Sequence, residues 1–381
     1  MNIICDFDNC TGCGLCVSLC PKQSISLKPI GSLGHVFPHI NTATCIDCGI
    51  CTKSCPVLHP SELTPPQTAF AAWSKDDNEY RSSTSGGVAS ELSRYVLSKG
   101  GVVYGCAMLP DIDVKHIRID DISEISKLKG SKYVQSNAVG IYHQVKKDVK
   151  DGRLTMVIGT PCQIAAVNGL FKTRPDNLLL VDIICHGVPS VELLRKHVKK
   201  IADYPHYDNI IFRDGKNIVV VVVANGNIVY RQALKAPRYK EWYINTFIDG
   251  YTYRESCFHC RYATHKRISD ITIGDFWGLG RKISADYIPE HKHGCSLVLP
   301  ITEKGRQFVE RISTSLNIYE RKIKEAVDGN EQLRTPFKKG MRIQLFRYLY
   351  PRIGNSAYFM VIPDKYVFSK AKQLLKVLIG R

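Results

Sequence analysis

Residues 10–21 read CTGCGLCVSLCP and residues 45–56 read CIDCGICTKSCP. Both are C-x2-C-x2-C-x3-C-P, and nothing else in the chain constrains its fold as tightly. Three thiolates on a tight loop can cap three corners of one iron–sulfur cubane, while the fourth, held at the turn by proline, reaches a second cubane. The spacing therefore predicts two 4Fe-4S clusters. One takes Cys10, Cys13, Cys16 and Cys55, and the other takes Cys45, Cys48, Cys51 and Cys20. Zinc is the competing reading, but it rarely takes four cysteines so close together and then repeats the pattern. Gly12, Gly14 and Gly49 suit loops whose backbone approaches sulfide and donates N–H groups. Cys5 lies outside both repeats and is read as a non-ligand.

The chain has 381 residues and 15 cysteines. Such a length suits two or three domains. That cysteine count would fit a secreted disulfide scaffold, but the ligand spacing argues for a reducing compartment. The N-terminus carries acids and cysteines where a signal peptide has a basic segment and an apolar core. No apolar run reaches the roughly 18 residues of a membrane span. A cytoplasmic location is expected. The formal net charge of +17 suits solubility and a few basic patches, or an anionic partner such as a flavin pyrophosphate, an acidic coenzyme or a membrane surface. No nucleic-acid module is present, so nucleic acid is not an expected partner.

The fold expected is an α+β ferredoxin-like N-terminal domain with two 4Fe-4S clusters, followed by an α/β body with a mixed sheet. The ferredoxin domain spans 1–60. A proline-rich linker covers 61–67, and the body runs through 68–150 and 151–330. A strand is expected at 68–73, a helix within 82–101 and a strand at 102–108. From about residue 138 helices and strands alternate, which is the pattern of parallel βαβ units. Residues 217–232 read as a hairpin turning at Asn225-Gly226. Residues 331–381 form a basic tail; from Arg334 onward it holds 11 Lys/Arg against one Asp. Val367, Ala371, Leu374, Leu375 and Leu378 fall on one helical face, suited to packing on the protein itself or to contact with a membrane surface or partner.

Four further cysteines stand in suggestive places. Cys162, in IGTPCQIAAV, sits at a strand-to-helix turn where Thr160 can cap and Pro161 fits the first turn. The positive helix end there favours a thiolate. Cys185, in DIICHGVPS, follows the next strand. In a parallel sheet both would lie at the carboxyl edge, where ligands bind. Cys257 and Cys260 form a C-x2-C. Together the four suit an iron–sulfur cluster or a structural zinc, and each alone suits a small buried apolar residue. Trp277 reads as core.

Several segments in order resemble one family: SSTSGGVASEL (82–92), LKGSKYVQS (128–136), IGTPCQIAAV (158–167), DIICHGVPS (182–190) and CFHCRYATHKRISDITIGDFWG (257–278). The chain resembles the beta-subunit family of coenzyme F420-reducing hydrogenase and formate dehydrogenase, whose relatives include 7-hydroxymethyl chlorophyll a reductase. The resemblance covers roughly residues 68–300. Its overall character is similar to a bacterial branch found with surface-polysaccharide biosynthesis. It implies an iron–sulfur flavoprotein oxidoreductase with FAD and a third 4Fe-4S cluster on Cys162, Cys185, Cys257 and Cys260. Cys106 and Cys295 fall outside that pattern and read as structural thiols.

In this context Ser85, Gly86 and Gly87 offer N–H groups to a phosphate. Lys129, Gly130, Ser131, Lys132, Tyr133 and Gln135 suit a pyrophosphate or isoalloxazine carbonyl, with Thr160 and Gln163 beside them. His186, Arg267 and Asp275 are candidates for tuning protonation at the flavin or substrate, with a solvated or ion-paired structural role the alternative for each. Electrons would pass between the clusters and FAD, and on to a ferredoxin or redox partner protein, or to a small molecule such as coenzyme F420. The alternative is an electron-transfer subunit without its own substrate site that serves a partner enzyme. The sequence leaves the oligomeric state open.

Overall fold

Gly14 and Gly49 take a left-handed backbone, with φ of 79° and 70°, and each starts a one-turn helix, Leu15–Ser18 and Ile50–Lys53. A side chain at either position would be strained, so glycine is what lets the cysteine loops fold back on themselves. Between the loops runs an antiparallel hairpin of β1 (Ile25–Ile30) and β2 (His35–Ile40). Ile4, Ile25 and Ile40 form a small core beneath it, ringed by cysteines. The computed structural model describes residues 3–215, 217–234 and 241–362.

The body is built on one sheet assembled from distant parts of the chain. Its strands are β3 (Ala69–Ser74), β4 (Val102–Leu109), β5 (Asp113–Ile119), β6 (Thr155–Gly159) and β7 (Leu178–Ile183). Three more strands, β11 (Ile271–Asp275), β12 (Ser296–Pro300) and β13 (Leu316–Arg321), complete it. The order is β13-β3-β12-β11-β7-β6-β4-β5. The centre, β11-β7-β6-β4, is parallel, and the flanks are antiparallel, so the sheet is mixed as expected.

Alternation along the strands sends side chains to two apolar layers. Val103, Met156 and Leu179 meet the helices Val88–Ser98 and Glu303–Ile312 on one face. Val102, Val157 and Leu178 meet Tyr142–Lys150 and Pro161–Asn168 on the other. Burial on both faces explains why the central strands read as continuous apolar runs.

A smaller sheet of β8 (Asn209–Asp214), β9 (Asn217–Ala224) and β10 (Asn227–Ala233) lies in the order β10-β9-β8. Asn225 and Gly226 have φ of 51° and 73°, the double positive φ of a type I′ turn. The helices Val191–Ile201, Trp242–Ile248, Met341–Ile353 and Ser356–Val361 share an apolar core with this sheet. Part of the basic tail is thus packed: Phe346, Ala357 and Tyr358 are fully buried. The amphipathic segment from residue 364 onward lies outside the described residues. No helix of the described residues is long and apolar enough to cross a membrane.

The proline-rich stretch 61–67 does not hang free. Thr64 and Arg267 exchange two backbone hydrogen bonds, of 2.9 and 2.7 Å, and Leu63 packs against the sheet's second apolar layer. The cysteine loops are also seated on the body. Leu15 is 1% exposed within that same layer, the Tyr142 hydroxyl donates to the Cys13 carbonyl at 2.7 Å, and a His35 ring nitrogen meets the Thr252 carbonyl at 3.2 Å.

Candidate redox centre

Two small cavities open inside the N-terminal loops. One is lined by Cys10, Cys13, Cys16 and Cys55, the other by Cys20, Cys45, Cys48 and Cys51. These are the two sets read from the repeats, including the exchange of the fourth cysteine between loops. The thiols surround a space and do not close on a point: among the described residues no three Cys, His, Asp or Glu side chains are placed to hold one metal ion. Cys5 joins the wall of the first cavity. Its thiol neighbours those of Cys10 and Cys55. That neighbour, with burial opposing it, holds the Cys10 thiol down at about 6, aided by the Arg254 guanidinium. Spacing gives no sign of this fifth thiol.

Cys162, Cys185, Cys257 and Cys260 come from three separate segments and meet within one another's electrostatic reach. Cys162 follows β6 and Cys185 follows β7, both at the carboxyl edge of the parallel strands. The 3-10 turn Glu255–His259 brings Cys257 beside them, with Cys260 at its end. The helix Pro161–Asn168 starts as its sequence suggests: the Thr160 N–H and hydroxyl both donate to Gln163 Oε1, at 3.1 and 2.9 Å. Its positive end does not decide the ionisation of Cys162, however. Burial pushes the Cys162 thiol up to about 11 and Cys257 to about 12, because a buried thiolate loses more hydration than one helix end returns.

This second group of thiols lies close to the first cavity. Cys13 and Cys162 feel each other's charge, and Tyr142, fully buried, lies within reach of Cys13, Cys162 and Cys16. Arg254 belongs to both groups. Its carbonyl accepts from the Cys257 N–H at 3.0 Å, while its Nε donates to the Cys10 carbonyl at 2.6 Å.

The remaining candidates divide. Thr84 and Ser131 approach each other, their hydroxyls 3.5 Å apart, so the SGG and KGSKY stretches are neighbours. Arg213 joins them, donating to the Tyr133 hydroxyl at 3.2 Å, to the Thr84 carbonyl at 3.0 Å and to Asp275 at 3.4 Å. Asp275 ends β11, and His186 lies within its electrostatic reach. Solvent touches His186 although protein surrounds it. Gly130 has φ of 84° and open space beside it.

Other candidates are engaged elsewhere. Lys129 is paired with Glu79 at 2.7 Å. Lys132 donates to the carbonyls of Leu128 and Lys129 at 2.9 and 2.6 Å. Gly86 gives its N–H to Ser296 at 2.9 Å, and a Cβ there would sit 2.1 Å from the Ala72 carbonyl. Gly87 starts the helix Val88–Ser98, and the Ser85 hydroxyl accepts from Ser296 at 3.3 Å. Gln135 turns toward the first cavity and donates to the Thr11 carbonyl at 2.9 Å. Gln163 donates to Ser136. Arg267 is 2% exposed, ion-paired with Asp182 at 3.0 Å and bonded to the Tyr262 carbonyl at 2.6 Å; it braces the sheet, away from His186 and Asp275 in its bonding. Trp277, read as core, is 44% exposed, because the chain leaves the sheet after Asp275 and turns outward.

Family models match three consecutive parts of the chain. Residues 9–58 match a 4Fe-4S dicluster domain. Residues 69–141 match the coenzyme F420 hydrogenase/dehydrogenase beta subunit N-term, and residues 152–326 its C terminus. The chain belongs to the coenzyme F420 hydrogenase/dehydrogenase beta-subunit family. Among solved structures, a chain of the xenon-derivatized F420-reducing nickel–iron hydrogenase complex from Methanosarcina barkeri is similar, at 19% identity and a TM-score of 0.46, over 78% of this chain and 92% of that one. No curated protein matches.

As a beta-subunit family member with a dicluster domain, the protein is an iron–sulfur redox protein. Its N-terminal family match holds the SGG and KGSKY stretches, and its C-terminal match holds Cys162, Cys185, Cys257 and Cys260. Sequence reasoning missed Arg213 and Arg254. Arg213 lies in a strand with no motif around it. Arg254 precedes the C-x2-C, but its partner Cys10 is 244 residues away.

Proposed function

We propose that this chain is an oxidoreductase that moves electrons between three 4Fe-4S clusters and FAD, and on to a ferredoxin-type protein or an acidic coenzyme of the F420 type. The observation that carries the reading is the meeting of Cys162, Cys185, Cys257 and Cys260 beside the Cys10, Cys13, Cys16 and Cys55 cavity. Four thiols drawn from three segments, with Cys162 in reach of Cys13 in the first cavity, fit cubane ligation. Cys20, Cys45, Cys48 and Cys51 would hold the outer cluster, where Cys48 is exposed to a partner.

FAD, when bound, supplies the exchange between one-electron and two-electron chemistry. The residues suited to receive it are Thr84, Ser131, Tyr133 and Arg213, with the open turn at Gly130. Arg213 offers a fixed cation for phosphate or a flavin carbonyl. His186 and Asp275 can hold or move a proton at the imidazole and the carboxyl oxygen. Cys185 and His186 are consecutive, so the end of β7 joins the thiol group to these residues. The charge of +17 favours an acidic partner.

The test is composition after purification without oxygen. About twelve irons and one flavin per chain are expected. About eight irons with no flavin would overturn the reading, and zinc on Cys257 and Cys260 would replace the body cluster with a structural metal. Reduction of the bound flavin by reduced coenzyme F420, compared with reduced ferredoxin, distinguishes the two donors.

A further inference from the structure

Arg254 is 1% exposed and heads the large side chains that the fold encloses completely. Its guanidinium donates to the carbonyls of Cys10 and Val36 at 2.6 and 2.7 Å, to Gln135 Oε1 at 3.3 Å and toward the Cys10 sulfur at 3.7 Å. It stacks on Phe37, 4.1 Å from the ring centre. Every one of these partners is a carbonyl, an amide, a thiol or a ring, and among the described residues no carboxylate pairs with it.

A buried cation without a counter-charge is costly, by several kcal/mol after relaxation. The groups able to balance it are sulfurs: Cys10 in the first cavity, and Cys162 and Cys257 in the second group, all within its electrostatic reach. The backbone is arranged to keep it there. The Arg254 N–H donates to the Val188 carbonyl at 3.1 Å. Gly12 leaves room for it, since a Cβ at that position would lie 2.7 Å from Nη1. Among the described residues Arg254 makes no hydrogen bond to Cys20, Cys45, Cys48 or Cys51, the cysteines that line the outer cavity.

We propose that Arg254 is a positioning residue, the shared counter-charge of the first-cavity centre and the body's four-cysteine centre, which makes both easier to reduce than the outer centre. The inference rests on the cluster assignment above. Adding one electron to a centre adds one negative charge and breaks no bond, so a fixed cation beside it favours the reduced form, most strongly where the dielectric is low.

Redox titration of the full-length, anaerobically prepared protein, followed by electron paramagnetic resonance, tests this. Arg254→Gln should disfavour reduction of the first-cavity and body centres at least tenfold, about 59 mV for a one-electron couple, with the outer centre unmoved. Arg254→Lys, which keeps the charge, should restore most of the difference. Gln135→Glu places a carboxylate against Nη1 and should act in the same direction as Arg254→Gln; it answers the question if Arg254→Gln does not fold. Unchanged midpoints in Gln135→Glu, or an equal shift of all three centres in either neutralising variant, would overturn the proposal. A wild-type protein with about eight irons would remove the body centre and with it the shared role, while a shift confined to the first-cavity centre would still report on Arg254 there.

Discussion

Cys257 acquires a role only through residues far from it in sequence, and this makes it a sharp probe. On the proposed three-cluster, flavin-bearing reading, Cys257→Ser should lose about four of about twelve irons and slow flavin reduction by ferredoxin, with the signals of the two N-terminal clusters intact. Iron analysis and electron paramagnetic resonance on the same sample check it. His116 gives a pH signature independent of any metal. Burial holds its imidazole down to about 4, with the Ile158 carbonyl and Ser136 as its ring partners. An imidazole ordinarily titrates near 6.5. Between these values the unfolded chain binds the proton and the folded one does not, so stability falls as pH drops from about 6.5 to about 4. The loss from this one group is on the order of 3 kcal/mol. Chemical unfolding of wild type and His116→Gln at pH 7 and pH 4.5 measures it; the wild type should lose more.

At the scale of elements, Gly86 separates two uses of the SGG turn. Its missing side chain is what lets the turn lie against Ala72 and Ser296. Gly86→Ala should therefore cost at least about 2 kcal/mol through overpacking, seen as a lower Tm. A variant with unchanged Tm but lost flavin would show that the turn serves phosphate alone. Much of this layer was legible. β6, β7 and β12 are buried on both faces, and such strands announce themselves as apolar runs between turn residues. The β9–β10 hairpin was marked by Asn225-Gly226. β5, β8 and β13 were not marked, because they mix charged and apolar residues and lie at sheet edges, where pairing partners are set by tertiary contacts. β13 reads LNIYER and is a strand because β3, more than 240 residues earlier, lies beside it. The same reason hid Arg254: its chemistry is defined by Cys10 and Val36, which no local pattern connects to it. The grouping of the cysteines into three sets was legible because ligand spacing in the repeats is local and because the family segments lie in order. Burial of Arg267 and the turning of Lys132 onto the Leu128 and Lys129 carbonyls were not, since nothing in KGSKY or HKRISD distinguishes a surface cation from an engaged one.

Across the whole molecule, the C-terminal region works as part of the body. Phe346 is fully buried against Tyr251 and Tyr350. Phe346→Ala should destabilise the fold by about 3–5 kcal/mol, measured by urea unfolding, even though it lies in a stretch whose composition reads as a basic tail. The seam between the cysteine loops and the body has a different consequence. Leu15 is sunk in the sheet's apolar layer, the segment 61–67 is tied to the body by the Thr64–Arg267 and Gln67–Pro300 backbone hydrogen bonds, and His35 and Thr252 meet across the join. Many electron carriers tethered to an enzyme must swing between a loading and an unloading pose, and their turnover then slows in glycerol or sucrose. Here the gap between Cys13 and Cys162 is set by packing, so internal electron delivery should proceed at the same rate in thick and thin solvent. Viscosity would be felt only at the exposed face around Cys48, where a separate molecule has to arrive.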